Sequence, residues 1–112
     1  MAFSAKSSAL TIVAGTGYYT PTAYLEGQFV SLDGAVGMAG TVAIAANAWT
    51  PIATLDTDMR PAKYQYYPGN VAGASNQAGS GIRVSTNGVI EVFFINATSS
   101  YMPLSGIRFK RA

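Results

Sequence analysis

Apolar and polar side chains alternate most clearly over residues 79–96, GSGIRVSTNGVIEVFFIN. Ile82 and Val84 stand against Arg83 and Ser85, and after Asn87-Gly88 the residues Ile90, Val92 and Phe94 fall on one side with Glu91 on the other. A period of two predicts strands. Asn-Gly between two such runs predicts a β-hairpin, because both residues tolerate the positive φ that a twist-matched turn demands. Burial sets the register, since a slip of one residue would carry Glu91 inward. A lone hairpin is marginal in water, so other strands must pack on this one.

The rest of the chain offers them. Residues 1–9 are small and polar and are expected to form a lead-in or linker remnant, with residues 10–112 a single β domain. Residues 10–13 are a short strand candidate, stopped by Gly15-Thr16-Gly17. Residues 24–32 form the next, where Gly27 can mark a bulge. Asp33-Gly34 signals a turn, after which residues 35–45 return with Val36, Met38, Val42 and Ile44 on one face. A small-residue helix is the competing reading there, opposed by Gly37, Gly40 and the period of two.

Trp49 lies in a loop or strand entrance before the apolar residues 52–55. Pro61 pushes Arg60 towards extended geometry. Residues 64–67, YQYY, read as a strand with Tyr64 and Tyr66 on one side and Gln65 and Tyr67 on the other. Residues 68–80 are a Gly, Asn and Ser rich loop, and residues 97–103 a second loop containing Tyr101. Residues 105–110 close the chain with Ile107 and Phe109 inward. About eight short strands without a convincing helix predict an all-β fold, a small antiparallel barrel or sandwich.

Composition narrows the chemistry. Charged residues are only 11% of the chain, against roughly 25% in ordinary soluble domains, so its surface is mostly small, polar and neutral. Such a surface, with seven tyrosines, suits subunit contact or a neutral, hydroxyl-rich ligand. Histidine and cysteine are both absent. Disulfides, thiolate metal sites and His-dependent catalysis therefore fall away, and no cofactor is expected. The net charge is +2, and basic residues are scattered apart from Arg108, Lys110 and Arg111, which is no footprint for nucleic acid. The apolar patch near residue 10 is short for a secretion signal, and no apolar run suits a spanning helix, so membrane insertion is not expected.

Three landmarks carry a resemblance. Thr54-Leu55 precedes Arg60-Pro61; Gly81-Ile82-Arg83-Val84 joins Val89-Ile90 through Asn87-Gly88; and Leu104-Ser105-Gly106-Ile107-Arg108-Phe109 closes the chain. In this order they resemble the C-terminal head domains of bacteriophage receptor-binding proteins, found on baseplates and tail fibres of phages of Gram-positive cocci such as lactic acid bacteria. The resemblance spans roughly residues 24–112. It implies a small antiparallel β-barrel, Greek-key and trimeric, on the virion at the tail or baseplate tip. It also implies a shallow site for host cell-surface polysaccharide and contacts with other tail or baseplate proteins. Binding residues cannot be carried over by motif, because this chain lacks histidine.

Candidates come instead from side-chain chemistry. Trp49, Tyr64, Tyr66, Tyr67 and Tyr101 offer flat faces for sugar C–H groups, with Gln65 or Asn70 for hydroxyls. The competing role for each ring is to fill the core or a trimer seam. Asp56, Asp58 and Arg60 could fork a polyol or a phosphate-bearing polymer, or Asp56 could merely organise a turn and pair with Arg60. Paired glycosidase carboxylates would need a deep cleft, and calcium would need more oxygens than these two residues supply. Three functions follow: a non-enzymatic saccharide-binding trimer, an assembly domain of the tail or baseplate that binds no sugar, and a polysaccharide-cleaving enzyme as the poorest fit.

Overall fold

A computed structural model describes residues 5–71, 79–98 and 100–112. Among them there is no α-helix. Nine strands form two antiparallel sheets: β1 (Ala5–Ala9), β2 (Thr16–Glu26), β3 (Phe29–Gly37), β4 (Thr50–Thr54), β5 (Gln65–Pro68), β6 (Gly81–Val84), β7 (Val89–Phe93), β8 (Tyr101–Pro103) and β9 (Arg108–Lys110). The first sheet runs β1-β2-β3-β8, with β9 also paired to β3; the second runs β4-β7-β6-β5. The outcome is an open sandwich and not a closed barrel. Taken from β7 back to β4, the second sheet is a Greek key, since β7, β6 and β5 neighbour in sequence and β4 returns beside β7.

The predicted hairpin is β6–β7, and its inward residues are the core of the second sheet. Val84, Ile90, Val92 and Phe94 are wholly buried, and Ile82 nearly so. They pack against Leu25, Val30, Val36 and Met102 from the first sheet in one apolar cluster. The turn itself differs from the expected one. Only Gly88 has positive φ, at +80°, and Gly88 N donates to Ser85 O while Ser85 N donates to Val89 O. That pattern is a three-residue loop with its glycine in the left-handed position, so Asn87 need not adopt positive φ. Ser85, expected to face out with Arg83, is buried and its hydroxyl accepts from Val89 N.

The N-terminal third corrects the sequence reading. Part of the expected lead-in is the edge strand β1, paired with β2 from Ala5↔Glu26 to Ala9↔Thr22. Its sequence, AKSSA, buries neither face fully, so no alternation announces it. Residues 10–13 form no strand, and Thr16-Gly17 opens β2 instead of stopping the preceding element. Gly27 is a hairpin turn at φ +62° and not a bulge, which divides the single strand expected over residues 24–32 into β2 and β3. Asp33-Gly34 is no turn but lies within β3. The bulge is on β2, where Tyr19, Thr20 and Pro21 bow out between the pairs Tyr18↔Ala35 and Thr22↔Asp33. The strand expected over residues 35–45 ends at Gly37; Met38 and Ile44 are buried, but Val42 is exposed. Tyr101, expected in a loop, begins β8.

Candidate functional site

An aromatic platform covers the outer face of the second sheet, built from Tyr66 on β5, Phe93 on β7, and Trp49 and Tyr64 just before β4 and β5. Strand alternation sends Tyr64 and Tyr66 outward and leaves Gln65 and Tyr67 half-buried, as the sequence predicts. The Tyr64 and Tyr66 rings stack with centroids 5.9 Å apart, and Trp49 stands edge-on to Tyr66 at 6.3 Å and tilted against Phe93 at 5.4 Å. Arg83 sits beneath this group. Its guanidinium lies 4.4 Å from the Trp49 ring centroid and 5.9 Å from that of Tyr64. Directly opposite on β7, Glu91 accepts from Arg83 Nε and Nη2, both at 3.0 Å.

The pair is well shielded, with the Arg83 and Glu91 side chains 24% and 14% exposed. A two-pronged ion pair in such a setting locks the guanidinium in plane, and the guanidinium in turn braces the rings by cation–π attraction. Donating these hydrogen bonds to the Glu91 carboxylate raises the Arg83 pKa above its ordinary value, and the guanidinium stays charged. The result is a set of exposed ring faces and phenol hydroxyls on a rigid, nearly neutral base. This suits a polar ligand with apolar C–H faces.

The remaining candidates are placed elsewhere. Tyr67 and Asn70 line a cleft of about 320 Å³ together with Pro68, Ile82, Pro103, Ser105, Gly106 and Ile107. Tyr67 Oη donates to the Arg108 carbonyl at 3.1 Å, and burial raises its pKa. Asp56 does not pair with Arg60. Lys6 Nζ on β1 contacts Asp56 Oδ2 at 3.1 Å and Asp58 Oδ1 at 2.8 Å, which lowers the Asp56 pKa and raises that of Lys6. The two Asp flank and enter a single 3-10 turn, Thr57–Met59. Arg60 Nε donates to Leu55 O, and the Arg60 stem lies against Gly88.

Tyr101 joins Tyr18 and Tyr19 on the outer face of the first sheet, at centroid distances of 5.7 and 5.5 Å. The Tyr19 and Tyr101 hydroxyls are 3.2 Å apart, and this contact raises the Tyr101 pKa. Tyr19 and Thr20 both have positive φ, +57° and +51°. Left-handed backbone at two successive residues with side chains costs about 1–2 kcal/mol each, so packing must hold the bulge.

The whole fold has a counterpart. It is similar to the crystal structure of the receptor binding protein (gp15) of Listeria phage PSA, with a TM-score of 0.77 over 98% of this chain and 67% of that one, at 21% sequence identity. No protein-family profile matches the sequence, and no curated protein does. The likeness is thus one of fold.

Sequence reasoning had named the rings of the platform but not Arg83, Glu91 or Phe93 as part of it. The signal was available, because Arg83 and Glu91 are opposite partners in the hairpin that the pattern predicts. Tyr18 and Tyr19 were missed because their strand was. Among the described residues, no group of three or more acidic, His or Cys side chains converges to hold a metal ion. No helix among the described residues is long and apolar enough to cross a membrane.

Proposed function

We propose that this chain is the receptor-binding module of a bacteriophage tail tip, holding a host cell-wall saccharide non-covalently on the Trp49, Tyr64 and Tyr66 platform and working as a homotrimer beside other tail or baseplate proteins. The observation that carries this reading is the fold likeness to a phage receptor binding protein along nearly the whole chain. The platform supplies matching chemistry, with Tyr66 64% and Tyr64 49% exposed. A flat site gives modest affinity alone, and three copies on one particle multiply it through avidity. Binding without bond cleavage agrees with Asp56 and Asp58 both being engaged by Lys6 on an exposed rim.

The test is binding of the purified protein to cell-wall polysaccharides from a panel of Gram-positive bacteria, with light scattering to establish its oligomeric state. Trp49→Ala and Tyr66→Ala should each weaken binding about tenfold or more, the range of central aromatic contacts. A trimer that ignores every polysaccharide would favour the assembly reading. The exposed Tyr18, Tyr19 and Tyr101 cluster would then be the first place to look for a subunit seam.

A further inference from the structure

The platform and the cleft meet at β5. Tyr66 stands on its outer side and Tyr64 immediately precedes it, while Tyr67 and Pro68 line the cleft between β5 and the β8–β9 turn. A second connection runs through β6. Trp49 Cη2 lies so close over Gly81 that a methyl group there would stand 3.4 Å from it, and Gly81 is the register partner of Pro68. The Trp49 end of the platform therefore borders the rim of the cleft.

The lining of the cleft is mixed in the way a sugar ring requires. Pro68, Pro103, Ile82 and Ile107 give apolar surface, and Asn70 and Ser105 give donors and acceptors. The Tyr67 hydroxyl is committed as donor to Arg108 O, which leaves its oxygen to accept. Alternation turns Tyr66 to the outer side of β5 and Tyr67 to the other, so platform and cleft face different ways and a single sugar ring does not fill both.

We propose that platform and cleft are successive subsites of one track along β5, which takes a segment of a repeating polysaccharide and not a single sugar. This rests on the saccharide reading above and adds the length of the ligand and the second subsite. The platform holds one sugar by its rings, and the cleft holds a later unit of the same chain through Asn70, Ser105 and Tyr67.

The test uses polysaccharide released from whichever bacterial cell wall the protein binds in the panel, cut and fractionated by length. Trp49 is the single tryptophan, so its fluorescence reports occupancy of the platform directly. Affinity should rise about tenfold or more from monosaccharide to longer fragments. The double variant N70A/S105A should lose that gain while keeping wild-type affinity for the shortest fragments, because each lost neutral hydrogen bond is worth up to about tenfold. Both side chains are exposed, so the variant should fold, and an unchanged circular dichroism spectrum would verify it. Binding that is independent of length, or a double variant that keeps the full gain, overturns the track and leaves the saccharide reading standing. If no polysaccharide of the panel is bound, the saccharide reading and the track fall together.

Discussion

Gly34 and Gly106 allow backbone strain and steric conflict to be measured separately. Both have φ at +91°. A methyl group on Gly106 would meet nothing within 4 Å, whereas one on Gly34 would stand 2.6 Å from Pro21 Cα and 2.8 Å from Pro21 N, in the bulge that carries Tyr19. Gly106→Ala should therefore cost only the conformational penalty, about 1–2 kcal/mol. Gly34→Ala should cost that and a further 1–3 kcal/mol or so for overpacking, since backbone cannot swing aside as a flexible side chain can. In urea, with a slope of about 1–3 kcal/mol per molar, the two midpoints should differ by roughly 1 M. Unfolding followed by Trp49 fluorescence, at one protein concentration to keep any subunit association constant, measures this. Gly34→Ala should also disturb the Tyr19–Tyr101 contact, which Gly106→Ala should spare. Equal midpoints would refute the argument that the bulge presses on Gly34.

Phe94→Ala should destabilise by about 3–5 kcal/mol in the same assay, because this ring is wholly buried where the second sheet meets the first. Glu91→Ala should leave the shielded Arg83 guanidinium without its partner; discounted for partial exposure, the loss is about 1–3 kcal/mol, with a shift in Trp49 emission as the platform loosens. Acid titration tests the Lys6 link. The Asp56 pKa is lower folded than its ordinary value of 3.8, so the stability it contributes is present above that value and is lost as pH falls through the lowered one. Lys6→Gln should flatten this part of the stability curve, and added salt should do the same to the native protein.

The clearest local pattern gave the most faithful reading. In β6–β7 one face is sealed in the core and the other is not, so each residue's direction is written as alternation, and Ile90, Val92 and Phe94 lie as the pattern requires. The outward pair Tyr64 and Tyr66 and the inward pair Ile107 and Phe109 were legible for the same reason. β1 was not, because an edge strand with little burial has no preferred face to record. Gly27 and Gly34 were misread in opposite senses. A glycine at positive φ serves equally in a turn or opposite a bulge, and only the partner strand determines which.

Alternation and turn residues alone specify a strand-built fold, the faces of its central hairpin and the stock of neutral rings from which a site could be built. Tertiary structure decided which rings meet. Trp49 reaches Tyr66 and Arg83 only because β4 returns beside β7 in the Greek key, and Lys6 reaches Asp56, 50 residues away, only because β1 joins the sheet edge. Alternation reports the direction of a side chain relative to its own strand, and carries no information on which distant strand will lie beside it.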